Sequence, residues 1–181
     1  MTESSSDRSA NWSHELEQEF KMLDNDLILT ILSIGDRNVG HLKLQKMVFL
    51  LLKASQLKSN ATAYKFGAFD EYLMEKLQMK GQDLITRKGA KYLLTDKGKT
   101  IYLVVRDKVS KKKPKIVEFS DIIQKMNEDE LLGVTYFLYP EYAIESEITE
   151  KVGHTIELLK NRKSKFQVSE SDGEVSVGIM E

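Results

Sequence analysis

The sequence predicts a mainly α-helical chain of the α+β class with one small β-hairpin, and three observations carry that prediction. Apolar residues recur at helical spacing, first as Phe20, Leu23, Leu27, Ile28, Ile31 and Leu32. One stretch, Leu84–Leu94, departs from this with two short apolar runs flanking a basic turn that contains Gly89. A helix start, Thr95-Asp96-Lys97-Gly98, follows at once.

The elements follow in order. Residues 1–19 are Ser-rich and polar, with Trp12 as the one large apolar side chain before Leu16, and are expected to be disordered. A first helix runs from about Phe20 to Ile34, where Gly35-Asp36-Arg37-Asn38 breaks it. His41–Ser55 is a second helix, apolar nearly all round through Leu44, Met47, Val48, Phe49, Leu50, Leu51 and Leu52, and therefore buried. After an extended piece around Tyr64–Phe69, Asp70 caps a third helix over Glu71–Lys80. The strands Leu84–Arg87 and Lys91–Leu94 come next, and Thr95 caps a fourth helix through Ile101, Tyr102, Val105 and Val109. Ser110-Lys111-Lys112-Lys113-Pro114-Lys115 is a basic hinge, because proline disfavours continuation of the helix.

Beyond the hinge, Ser120 is a cap candidate, and Asn127 with Glu130 has the spacing of a capping box. The helix Leu131–Tyr139 ends at Pro140, and Ile144–Arg162 reads as one or two more helices with Ile148, Val152, Ile156 and Leu159 inward. Lys163–Glu181 is polar with little periodicity and is expected to be a loose tail. Helix, basic hairpin, helix is the layout of a winged helix-turn-helix. The expected organisation is thus a disordered segment 1–19, a winged-helix domain 20–112, a helical extension 113–162 and a flexible tail 163–181.

Composition narrows the function. Apolar residues make up 41% of the 181 positions, enough to build a core. There is no cysteine, which removes disulfides, thiolate metal sites and a cysteine nucleophile, and fits a reducing compartment. Met1–His14 does not resemble a signal peptide, and the longest apolar run, Met47–Leu52, is far too short to span a bilayer. A cytoplasmic protein without a membrane partner is expected. His14, His41 and His154 are widely spaced, no glycine-rich phosphate loop is present, and no acidic pair has a suitable basic partner. No catalytic residue, metal ligand or cofactor is therefore expected, and the chain is not expected to be an enzyme.

The net charge of −1 conceals a strong asymmetry. Residues 79–115 hold 12 basic and 3 acidic side chains, whereas 116–181 hold 6 basic and 14 acidic. A basic middle of this kind suits phosphate contact. Arg87, Lys88 and Lys91 fall around the hairpin tip, and Lys97 and Lys99 open the next helix, where their charge opposes the helix dipole. Lys76, Gln78 and Lys80 are the base- or phosphate-reading candidates of the third helix, and Lys43 and Lys46 could touch the backbone from the second. The leading expectation is a DNA-binding transcriptional regulator, dimeric through its extension, that holds duplex DNA with its wing. The alternative is a protein-interaction module without sequence-specific DNA binding. Asp70, Glu71 and Glu75 favour the alternative, since carboxylates on a reading helix repel phosphate. Tyr136, Phe137, Tyr139 and Tyr142 could stack bases, but core or dimer packing explains them better.

Three segments carry a resemblance. Leu42-Lys43-Leu44-Gln45-Lys46-Met47-Val48-Phe49-Leu50 is similar to the Lys-Leu-Gln-Lys helix of the phage-associated, SocA-like antitoxin (Panacea) group. Lys65-Phe66-Gly67-Ala68-Phe69-Asp70-Glu71-Tyr72-Leu73 looks like the segment that opens the third helix there, with Ala68 where the group usually has proline. Leu84-Ile85 followed by Tyr92-Leu93-Leu94-Thr95-Asp96-Lys97-Gly98 resembles the wing and Leu-Thr-x-x-Gly signature of many winged-helix regulators. The resemblance spans roughly residues 40–105 and implies a winged-helix fold and binding to another protein, as an antitoxin or adaptor.

Overall fold

The computed structural model describes residues 15–65, 67–80 and 83–144, the positions 153 and 157, and the backbone of 166–171 and 174–179. It is mainly helical with a small antiparallel sheet. The elements are α1 (15–22), α2 (Asn25–Ile34), β1 (Val39–Gly40), α3 (His41–Ala54), α4 (Glu71–Lys80), β2 (Ile85–Lys88), β3 (Lys91–Leu94), α5 (Asp96–Lys112), α6 (Pro114–Lys125) and α7 (Glu128–Leu138). A 3-10 turn, Pro140–Ala143, follows, and β4 (Phe166–Ser171) pairs with β5 (Glu174–Ile179).

The first helix is two helices. The Asp24 carboxylate accepts a hydrogen bond from the Leu27 N–H at 3.0 Å and so starts α2 afresh. Residues 15–19, expected to be disordered, belong to α1, and Leu16, Phe20 and Leu23 pack against the core. α3 is buried over Leu44–Leu52 and forms the centre of the molecule, with α2, α6 and α7 around it. Asp70 caps α4 by accepting from the Leu73 N–H at 2.9 Å. Both bonds of the Asn127–Glu130 capping box form.

The hairpin holds the register Ile85↔Leu94, Thr86↔Leu93, Arg87↔Tyr92 and Lys88↔Lys91, one residue later in its first strand than the sequence suggests. Gly89 has φ +61°, the left-handed geometry that a two-residue turn of this kind requires at its first position. The unexpected β1 pairs with β3 and gives the sheet order β1-β3-β2. Its two residues are too few to show a strand period. Thr95 caps α5 by accepting from the Gly98 N–H at 3.0 Å. A Cβ on Gly98 would lie 2.0 Å from the Leu84 carbonyl oxygen, so α5 reaches the strand only through a glycine.

Two further expectations change. Ser120 is not a cap: it lies buried inside α6, and its hydroxyl donates to the Leu32 carbonyl at 3.2 Å. The basic hinge shrinks to Lys113, because Pro114 begins α6, a position where its missing N–H costs nothing. Arg106 of α5 and Asp121 of α6 then lock the two helices by paired hydrogen bonds at 2.6 and 2.7 Å, which hold the Asp121 carboxyl below its usual range. The tail expected to be loose carries β4 and β5. Residues 1–14 and Ile148, Val152, Ile156 and Leu159 lie outside the described residues.

Candidate functional site

The site residues divide by the direction in which α3 and α4 turn them. On α3, the Gln45 amide is a two-point clamp: its NH2 donates to the Asp70 carbonyl and its oxygen accepts from the Asp70 N–H, both at 3.0 Å. The Lys46 ammonium donates to the Ala68 carbonyl at 2.7 Å and is only 3% exposed. Burial pushes its pKa down to about 8. The segment entering α4 is thereby hung from α3 through its own backbone. Lys43 donates to the Gln124 carbonyl at 2.9 Å and to that of Met126, binding the end of α6, and burial followed by the Arg37 charge lowers its pKa. Lys43 and Lys46 therefore do not reach outward as backbone-contacting residues. Unsatisfied carbonyls claim them, and a buried carbonyl needs a donor.

α4 splits likewise. Its inner face buries Leu73, Met74 and Leu77. Lys76 turns back against α2 and meets Asp24 at 3.1 Å and Asp26. Burial opposes its charge, but the two carboxylates outweigh that and raise its pKa. Lys76 is thus an inter-helix tie and not an outward contact. The outward face presents Glu71, Tyr72, Glu75, Gln78 and Met79. Tyr72 is 54% and Met79 79% exposed. Sequence reasoning passed over both, although their spacing of seven residues marks a second stripe on the helix. Lys80 ends α4, with its side chain outside the described residues.

The cations that follow the hairpin are also claimed. Lys97 meets Glu19 at 2.6 Å and Asp83 at 4.0 Å. The Glu19 hydrogen bond raises its pKa. Lys99 meets Asp96 at 3.1 Å. The unfavourable placement of Lys97 at a helix start thus has an internal partner on α1. Arg87, Lys88 and Lys91 stay exposed at the hairpin. The Arg87 Nε–H donates to the Gly89 carbonyl at 2.8 Å, with its guanidinium 5.7 Å from the Tyr92 ring centre. Beside it, burial and then the Arg87 and Lys46 charges lower the pKa of His41.

Three of the four C-terminal aromatics pack inward. Tyr136 is buried, and Tyr139 and Tyr142 sit edge-on to Phe49 at 5.3 and 4.8 Å. Among the described residues no group of His, Asp and Glu could hold a metal ion, and no helix is long and apolar enough to cross a membrane. Comparison with protein-family models, with curated proteins and with solved structures finds no match.

Proposed function

We infer that this chain is a winged-helix protein-interaction module whose outward α4 face receives another protein. The order α2-β1-α3-α4-β2-β3-α5 and the sheet order β1-β3-β2 support the winged-helix reading. One observation carries the functional reading. The helix that a DNA-binding winged helix would lay in the groove spends Lys76 on its own scaffold and turns Glu71, Tyr72, Glu75 and Met79 outward. Carboxylates repel the phosphate backbone, while exposed tyrosine and methionine are efficient anchors for a protein surface.

The wing favours the second reading, a duplex-binding regulator, because Arg87, Lys88 and Lys91 remain exposed. A salt titration of duplex binding separates the two. The protein-interaction reading expects weak binding in dilute salt and no dependence on the wing. It is overturned by tight binding whose logarithm falls steeply with salt and that is lost in the triple Arg87→Ala, Lys88→Ala, Lys91→Ala variant. On the partner side, a photo-crosslinking residue at Tyr72 or Met79 is expected to trap one discrete protein in the native host. The same residue at Leu103, 66% exposed on α5, serves as the control.

A further inference from the structure

Between the C-terminal half of α4 and the wing lies a cleft of about 510 Å³, lined by Leu77, Gln78, Ile85, Thr86, Arg87 and Tyr92. Its floor is apolar, since Leu77, Ile85 and Tyr92 are all core residues. The Tyr92 hydroxyl donates to the Met74 sulfur at 3.6 Å, which fixes the ring beneath α4. The polar groups, Gln78, Thr86 and Arg87, are not acidic. An apolar floor with a few convergent polar groups is the general build of a recognition pocket.

Arg87 is held ready without being used up. Its Nε–H and its ring contact fix the side chain, while its terminal nitrogens have no hydrogen-bond acceptor among the described residues. Lys88 and Lys91, paired across the hairpin tip, have no ion-pair partner among the described residues either. By contrast, Lys76, Lys97, Lys99, Arg106, Lys108 and Lys111 each meet one of the chain's own carboxylates. A pinned guanidinium with an open fork beside two unpaired lysines calls for carboxylates from outside.

The backbone adds direction. Lys88 and Lys91 close a two-residue loop and so form a hydrogen-bonded pair. By the alternation of an antiparallel ladder, the N–H and C=O of Arg87 then point away from β3, toward the open edge of the sheet, where β2 is the outermost strand. An edge of this kind accepts an extended chain.

We propose that the cleft binds an extended acidic segment of a partner protein, with one carboxylate on the Arg87 fork and a neighbouring apolar side chain over Leu77, Ile85 and Tyr92. The proposal rests on the protein-interaction reading and gives the partner its chemistry. A nucleic acid fits less well. It would have to bring phosphates past Glu75, one turn from Gln78.

The test is fluorescence anisotropy of the full chain with a labelled acetyl-Asp-Leu-Asp-Phe-Asp-amide peptide, and with the same peptide carrying lysine for aspartate. Saturable binding of the acidic peptide alone is expected. Arg87→Ala should weaken it about tenfold, the size of one charge-assisted contact. Arg87→Lys should restore only part, because lysine lacks the fork. Thr86→Trp should block the cleft. Arg87 is exposed, so Arg87→Ala should keep the wild-type melting temperature and remain informative if Thr86→Trp does not fold.

Four outcomes overturn the proposal: no saturable binding, equal affinity for the lysine peptide, indifference to Arg87→Ala, or displacement of the peptide by an equimolar oligonucleotide. None of the first three touches the protein-interaction reading, which stands or falls on the duplex titration and on trapping at Tyr72 and Met79, residues outside the cleft lining.

Discussion

α3 and α4 are neighbouring helices with similar polar equipment, and they use it in opposite ways. α3 holds Lys43, Gln45 and Lys46, and every one of them ends on a backbone carbonyl of another element. Among the described side chains of α4, Lys76 turns inward, and Glu71, Glu75 and Gln78 lie on the exposed side. The difference teaches that a lysine's role follows from what lies within its reach. The end of α6 and the turn before α4 leave carbonyls that no backbone donor satisfies, and α3 is the helix packed against both. Lys43, Gln45 and Lys46 of α3 are therefore structural, whereas Glu71 and Glu75 of α4 stay on the surface.

The largest expected effect breaks this comparison on the α3 side. Gln45→Leu leaves both the N–H and the C=O of Asp70 buried without partners, at about 3 kcal/mol for the pair. Urea denaturation measures it, and a loss below about 1 kcal/mol would show that the clamp is dispensable. Tyr72→Ala and Met79→Ala, made as the α4 counterparts, should leave the midpoint nearly unchanged.

The second prediction uses pH. The folded pKa of Lys46, about 8, lies below its ordinary value of 10.5. Between these values the unfolded chain holds a proton that the folded chain has released, so stability rises with pH across that window. The rise amounts to roughly 3 kcal/mol. It should appear in the difference between wild type and Lys46→Met, where groups common to both cancel. A flat difference between pH 8 and 10.5 would mean that Lys46 is not buried as described.

A smaller effect is expected at the one inward cation of α4. Lys76→Met should cost about 1 kcal/mol, since its carboxylates are partly exposed and the pair is screened by solvent. The loss should shrink in molar salt. The smallest effect sharpens the comparison from the other side. Lys88→Ala with Lys91→Ala should change stability by less than about 0.5 kcal/mol, the usual range for exposed positions. If that double variant melts well below wild type, the hairpin tip is structural and the contrast with α3 fails.

Much of the fold was legible because its signals are local. Asp70, Thr95 and the Asn127–Glu130 pair start helices through contacts three residues away, and α3 reads as buried because apolar residues run nearly all round it. Other features were not legible, among them the following. Asp24 divides the first helix while apolar spacing continues across it. Ser120 has a cap residue's chemistry but finds its acceptor on α2. β1 is too short to leave a pattern. For the site, the sequence located the basic hairpin and the acidic character of α4. It could not tell which lysines would be spent, because Asp24, Asp26 and Glu19 are far in sequence from Lys76 and Lys97.

By itself the sequence determined most of the helices, the hairpin, the glycine at its tip and the charge of each segment, since caps, periodicity and turn residues act over a few positions. Only the tertiary structure decided which charges remain available. Whether Lys46 meets phosphate or the carbonyl of Ala68, and whether Arg87 keeps an open fork, depends on carbonyls and carboxylates that folding brings within hydrogen-bond reach from distant parts of the chain.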